Sequence, residues 1–396
     1  MITRATLRPI LLLSTALLLI ACGNHSYNKS DDALKAGDYT SAILQLKAAE
    51  SKNPSDWKIK RDLGIAYYKN QQMTAAIAKL SQALRLQPND SATMLYLGLS
   101  YESDKNFGKA RSVYHSLASL NVNDALKKEL RARIRDIHLK QLRQEIKQNA
   151  ADLKAGRLEL AASNTLAVLY FRNLSQWDEL DPILKGLAEI MTHDLSKIKK
   201  LQLVERLKVQ VLMEDLRLSS ADFFDQIRAP DAGRLLNVNQ MISGSVERLD
   251  ETKIRLNGGV VETATGRLRG EGVKLSGSIS DILGLEKRAM LDFIEDLGLR
   301  PTLEEEAAIQ PLATNNNLAF IAFCKGLDYE DQQQFLPGQA QYEQALKLDP
   351  DFNLARQKLG ELPGPRLSIL EMEKLADAAY PDLEGTKEIA RWASAR

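Results

Sequence analysis

The side chains able to do chemistry are few in this sequence, and they are poorly grouped. Four histidines (His25, His115, His138, His193) lie far apart with no ligand spacing, and the two cysteines are Cys22 and Cys324. That inventory offers no thiolate or imidazole set for a metal. Asp222 and Asp225 flank Phe223-Phe224 and could mimic a carboxylate pair, but they precede a helix, where Asp is favoured for capping. Gly258-Gly259 and Gly270-Glu271-Gly272 lack the Lys-Ser/Thr of a phosphate loop, so a bulge or close backbone contact is expected there. Ser243-Gly244-Ser245 is half of a nucleophile elbow. Glu304-Glu305-Glu306 opens a helix after Pro301 and suits the positive end of its dipole. Glu205-Arg206 follows a strand and reads as an intradomain ion pair or a polar clasp. No nucleophile, acid–base pair or metal set emerges, so neither catalysis nor a cofactor is expected.

Cys22 has the most specific setting. Arg4 and Arg8 precede an apolar run, Ile10 to Ile20, broken only by Ser14 and Thr15. A spanning helix needs about 20 apolar residues, so the run has the length of a signal segment instead. It ends in Leu19-Ile20-Ala21-Cys22, which is similar to the lipobox of bacterial lipoproteins. The resemblance implies that the Cys22 thiol takes a diacylglyceryl group and the new amino terminus a further chain. Each buried CH2 contributes roughly 0.8 kcal/mol, so two or three chains anchor stably where one would not. Gly23 follows, not Asp, and the lipoprotein pattern then implies the periplasmic face of the outer membrane. With Cys22 acylated, Cys324 has no disulfide partner.

Bulk composition agrees with a folded body. Apolar content is 44%, charge 27% and formal net charge +1, which leaves no nucleic-acid footprint. The 396 residues have room for two or three domains.

A 34-residue period follows a polar tether. Leu63-Gly64, Tyr67, Ala76, Leu80, Ala83 and Pro88 recur as Leu97-Gly98, Tyr101, Ala110, Tyr114 and Leu117, without the proline. Ala42, Leu46, Ala49 and Pro54 stand one period earlier, behind a degenerate first helix. The pattern looks like the tetratricopeptide repeat, a helix pair that must stack on its neighbours to bury its apolar faces. Leu126, Leu130, Ile134 and Ile137 form a stripe on a capping helix, and Leu139, Leu142 and Ile146 are rotated from it, so the helix is expected to break or change neighbours near His138. Eight Lys/Arg against three Glu/Asp between Lys127 and Lys147 read as its solvated face. A fourth unit spans Ala319 to Pro350 through Gly326, Tyr329, Tyr342 and Ala345, with Pro337 in an interhelix turn or first helical turn and Cys324 buried as a small apolar residue. One repeat alone is unstable, so it should pack on a neighbouring domain.

Between these repeats the period changes. Strands are expected at Leu166–Phe171, Leu201–Val204, Gln240–Arg248, Lys253–Glu262 and Arg267–Leu275, with helices at 179–198, 207–216, 230–236 and 279–297 and a tight turn at Ala264-Thr265-Gly266. This order describes a mixed sheet with helices packed against it. Leu166 to Leu174, Gly186-Leu187-Ala188, Val204-Glu205-Arg206, Ile242 to Val246 and Val261 to Gly266 resemble the domain shared by the amino-terminal part of TolB and the curli-secretion lipoprotein family CsgG. The resemblance implies a role in envelope assembly or secretion.

The expected organisation is a lipoprotein signal peptide (1–21), a tether (22–30), tetratricopeptide repeats with a capping helix (31–160), a CsgG/TolB-type α/β domain (161–300), and a carboxy-terminal repeat with a tail (301–396). The fold class is a helical solenoid joined to a mixed-sheet α/β domain and a further helical repeat. The expected function is a lipid-anchored scaffold for envelope proteins, with Tyr67, Tyr68, Lys69 and Tyr101 as candidate groove residues. Alternatives are an oligomeric export component, which makes a homo-oligomer possible, and an activator of a wall-synthesis enzyme.

Overall fold

The computed structural model describes residues 29–159, 161–175, 177–216 and 229–378. Cys22, the lipobox residues Leu19, Ile20 and Ala21, and the Asp222/Asp225 pair lie outside them. The described chain divides into two compact units. One runs to His138 and resumes at Pro363; the other is Leu139–Leu362.

The first unit is a stack of helix pairs: α1 (29–36) with α2 (Tyr39–Lys52), α3 (Trp57–Lys69) with α4 (Met73–Leu86), and α5 (Ser91–Ser103) with α6 (Phe107–Ser119). The periodic residues are its core. Ala42, Leu46, Leu63, Ala76, Leu80, Ala110, Tyr114 and Leu117 are wholly buried. Asp56 and Asp90 start α3 and α5 by accepting from the N–H groups of Lys58 and Thr93. The helix crossings are tight: a Cβ on Gly98 would lie 2.3 Å from the Tyr114 ring. Gln71 and Lys105, one period apart, both turn the chain with φ of 59°.

Helix α7 (Asp124–Lys154) follows without a break. It changes neighbours instead. Leu126, Leu130 and Ile137 belong to the repeat core, whereas Leu142 and Ile146 belong to a core of the second unit.

The second unit is built on a mixed sheet formed by β1 (Thr165–Val168), β2 (Arg172–Asn173), β3 (Gln202–Leu203), β4 (Gln240–Arg248), β5 (Lys253–Glu262) and β6 (Leu268–Ser278). Its order is β3-β1-β4-β5-β6, with β2 also on β4. The β1 pairs with β3 and β4 are parallel, and β4-β5-β6 is an antiparallel meander. The expected first strand is shorter than its apolar run. Pairing stops at Val168 and resumes at Arg172, although Leu169, Tyr170 and Phe171 stay buried. Alternation then sends side chains to two cores. Leu166, Val168, Ile242, Val246, Ile254 and Leu256 meet α8 (Leu180–Leu195) and α11 (Ile282–Asp296). Ala167, Leu169, Met241 and Val261 meet α9 (Arg206–Leu216), α10 (Ala229–Leu236) and the end of α7. The glycine pair in β5 is a bulge: register shifts between Gly258 and Val260, and a Cβ on Gly259 would lie 2.2 Å from Leu268. Gly266 turns β5 into β6 with φ of 67°.

Helix α12 (Leu303–Ile309) opens with a Thr302–Glu305 capping box, and Glu305 is the middle member of the acidic triplet. The last repeat of this unit is α13 (Asn317–Asp331) with α14 (Phe335–Leu348), followed by α15 (Asn353–Glu361). It packs on α8: Cys324 is wholly buried, and a Cβ on Gly186 would meet its Sγ at 2.2 Å. Burial pushes the Cys324 thiol well up, which suits an apolar residue and not a nucleophile. Pro337 sits in the first turn of α14, where its missing N–H costs nothing.

Glu286 on α11 is wholly buried, and among the described residues neither carboxyl oxygen has a hydrogen-bond partner. Burial pushes its pKa up to about 8, against the opposing pull of Lys287. A carboxyl held protonated in the fold but released near pH 4.5 in the unfolded chain makes stability fall as pH rises between those values. The slope is up to about 1.4 kcal/mol per pH unit. Glu286→Gln should abolish this fall, seen as a flatter melting temperature from pH 5 to 8 than the wild type gives.

Candidate functional site

The most developed surface in the first unit is the face made by α3 and α5. Helix α5 is unusual in sequence, Ser-Ala-Thr-Met-Leu-Tyr-Leu-Gly-Leu-Ser, and all ten of these residues, Ser91 to Ser100, are buried. A helix apolar on every side needs cover on every side. Helices α4 and α6 provide part of it. The rest comes from α16 (Ile369–Ala378), in the stretch that reads as a tail by sequence. Met372 and Ala376 of α16 are wholly buried within the repeat core, and Leu367 and Leu375 are partly so. Ser91 Oγ donates to the Ala376 carbonyl at 2.7 Å.

Polar groups fix the approach of this segment. Gly364 N–H donates to the Lys128 carbonyl at 3.3 Å, and a Cβ on Gly364 would lie 2.6 Å from the Lys128 Cβ. The wholly buried Glu129 carboxylate accepts from the Leu367 N–H at 3.1 Å and pairs with Arg133 at 2.9 Å. Arg366 pairs with Asp136. Arg133 also donates to Glu102 at 3.1 Å, and Tyr114 donates its hydroxyl to the same carboxylate at 2.8 Å. Burial and the Glu102 charge hold that hydroxyl protonated.

Beside the first two turns of α16 the face opens into a cavity of about 720 Å³. Asp31, Lys35, Arg61 and Asp62 line one side, and Leu370 and Glu373 line the other. Arg61 pairs with Asp62 at 2.9 Å. The wall is therefore charged with both signs over an apolar floor that includes Ile65 and Ala92.

The groove residues expected from sequence have different surroundings. Lys69 lies on this face: its Nζ is 3.6 Å from Glu373 and 5.7 Å from the Tyr96 ring centre. Tyr68 is partly buried and meets Tyr96 edge-on, with centroids 5.4 Å apart. Tyr67 is buried in the core. Tyr101 is partly buried at the end of α5, with Lys109 5.4 Å above its ring. Sequence reasoning missed Glu129, Ser91 and Met372. The continuous apolar run of α5 was the one signal that something must lie on it.

In the second unit, Arg206 reaches Glu189 at 2.8 Å, the Tyr170 hydroxyl oxygen at 2.9 Å, and Asp331. Of the two residues expected to form an ion pair or polar clasp, Arg206 pairs with carboxylates on α8 and α13. Burial alone would raise the Glu189 carboxyl; Lys358, at 2.6 Å, and Arg206 outweigh it and hold it low. Each charge of this cluster faces an opposite one, with Lys185 3.5 Å from the second Asp331 oxygen. Among the described residues no group of three or more His, Cys, Asp or Glu could hold a metal, and no helix is long and apolar enough to cross a membrane.

Comparison with known proteins places the repeats. Residues 27–91 match the tetratricopeptide repeat family. The PEX5-related proteins of mouse and human are each 38% identical over 68 residues, which is 17% of this chain and 12% and 11% of theirs. The chain therefore spans about an eighth of the length of these curated relatives. Among solved structures, a tetratricopeptide repeat protein from Parabacteroides merdae is 12% identical, with a TM-score of 0.29 over 86% of this chain and 99% of that one. Yeast Tom70 is 13% identical, with a TM-score of 0.29 over 86% of this chain and 67% of its own. The tetratricopeptide domain of P58(IPK) is 11% identical, with a TM-score of 0.30 over 91% and 99%. The chain carries tetratricopeptide repeats stacked as a helical solenoid, with a mixed sheet and further helices.

Removing the charge between the two carboxylates should be costly. Arg133→Met leaves the buried Glu129 with only the longer 3.5 Å pair to Arg366 and is expected to lower stability by about 3 kcal/mol in urea unfolding. Lys79→Met, at the part-exposed pair with Glu50, should cost about 0.5 kcal/mol.

Proposed function

We propose that this protein is a lipid-anchored, non-catalytic adaptor on the periplasmic face of a bacterial outer membrane. Acyl chains on Cys22 hold it there, the repeats bind a segment of a partner protein, and the sheet unit docks to an envelope-assembly or secretion machine. Tetratricopeptide repeats form a scaffold suited to protein–protein interaction. The observation that carries the reading is the α3/α5 face itself, an apolar surface that already seats a helix beside an open cavity.

The anchor rests on the lipobox-like Leu19 to Cys22. Envelope docking is supported by the element order of the second unit, which fits the resemblance to the TolB amino-terminal and CsgG domain. An export pore built from β5 and β6 is disfavoured. Ile254, Leu256, Val260 and Val273 of that hairpin are buried in the core with α11, which leaves no lipid-facing row.

Labelling cells with an alkyne palmitate analogue tests the anchor. Label on the wild type and none on Cys22→Ala, travelling with the outer membrane on a sucrose gradient, is the expected result. A soluble, unlabelled wild type would remove the anchor and the location together. A photo-crosslinking residue in place of the exposed Lys35, on the cavity wall, should capture an envelope protein in cells; capture of a penicillin-binding protein would specify a wall-synthesis partner.

A further inference from the structure

We infer that Glu286 is a proton-controlled latch on α12. While its carboxyl carries a proton, Lys287 stays on the end of that helix; when the proton leaves, Lys287 turns to Glu286 and α12 parts from α8. This device lies in the second unit and does not depend on what the repeats bind.

Helix α12 has seven residues, too few to hold together alone, so it keeps its shape by docking. Its two ends are fastened differently. At the start, the Lys199 N–H donates to Glu305 at 2.9 Å, beside the Thr302–Glu305 capping box. At the other end, two ammonium groups hold the last carbonyls. Lys287 of α11 donates to the Ile309 carbonyl at 2.8 Å, and Lys197, just past α8, donates to the Ala308 carbonyl at 3.0 Å. Both lysines share the buried carboxylate of Asp194, which Lys197 meets at 2.6 Å.

Glu286 stands beside this group without a bond. It is wholly buried, and neither of its oxygens has a hydrogen-bond partner among the described residues. An isolated carboxylate is costly in such surroundings, so the neutral form is favoured. The charges that act on it are Lys287 from its own helix, Asp194 from α8 and Lys197 beyond it. No other described residue adds a charge there, including those of β5 and β6, on which α11 also packs. Burial outweighs both lysines and pushes the carboxyl up to about 8. His193 does not compete. Burial and then Lys197 push its pKa down, so it is neutral where Glu286 titrates.

Loss of the proton leaves a carboxylate with no donor in place. The cation with the strongest pull on it is Lys287, the next residue in the chain. That ammonium is already committed to Asp194 and the Ile309 carbonyl, so serving Glu286 frees the end of α12. Ile309, buried in the closed form, leaves the core with it. Ile309 and Gln310 also line a cavity of about 630 Å³ with Leu291, Ile294 and Leu299, so the latch sets the form of that cavity. The closed form binds the proton more tightly than the open one. Opening therefore grows as pH rises, by up to about tenfold per pH unit between 4.5 and about 8.

The test is amide hydrogen exchange of the full chain, read by mass spectrometry from about pH 5.5 to 7.5 and corrected for the intrinsic rate. In wild type, residues 303–310 should be less protected than β4 and β5, and their protection should fall by about tenfold per pH unit. Glu286→Gln should hold that protection constant across the range. Lys287→Met should lower it at every pH and leave it flat. Protection of α12 equal to that of β4 and β5 would mean that it opens only when the whole unit unfolds, and would overturn the latch. Protection below that of the sheet but flat with pH in wild type would overturn it as well. A pH response that survives in folded Lys287→Met would remove Lys287 as the link, and the latch with it. Both variants are checked for helical content by circular dichroism, and either one that retains it suffices beside wild type.

Discussion

Helix α5 has no polar side to offer water, and much of the first unit is arranged around that fact. Its apolar run from Ser91 to Ser100 must be enclosed, so the repeats lie against it and a helix from far along the chain is drawn onto it. The polar groups follow. Glu129 is buried because the incoming segment crosses α7 there, and it is tolerable because the Leu367 N–H and Arg133 both meet it. Helix α3 carries the same repeat motif but keeps Arg61, Asp62 and Lys69, and the open cavity is found at its side of the face.

The second unit answers a related constraint with a sheet. Alternate residues of β1, β4 and β5 supply two separate cores, so helices are required on both faces. The last repeat serves as part of that cover. Its approach is fixed by the close crossing of Gly186 on α8 against Cys324, and Gly326 against Tyr342 closes the repeat itself. Around Arg206, residues from α8, α13 and α15 converge on one buried charge system, which resists rearrangement because each member satisfies another.

How much of this was legible in the sequence depended on the range of the interactions. The 34-residue period exposed the helix pairs because it reports contacts between neighbours in the chain. The sheet elements were visible from alternation and from Gly266, and the Gly258-Gly259 bulge from the absence of phosphate-loop chemistry. Two details were blurred by short-range ambiguity. The apolar run Leu166–Phe171 contains an interruption in pairing that hydrophobicity cannot reveal, and the rotated stripe after His138 marked a change of neighbours in an unbroken helix. The face over α5 was hardest. Ser91 and Ala376 are separated by the whole of the second unit, and no local pattern announces which helix will cover another. Lys69 was named as a candidate from its place in the repeat and lies on this face, whereas Glu129 was hidden among the basic residues of α7.

The first unit is closed by residues that come after the second unit in the chain, and this has a consequence in time. A ribosome or export channel delivers the repeats first and α16 only after the entire sheet unit has emerged. Through that interval the apolar side of α5 stands uncovered, a sticky surface on a chain already long enough to tangle. The nascent protein therefore passes through a stage in which this apolar face is open to whatever is nearby, and a chaperone is one molecule that could occupy it before α16 does.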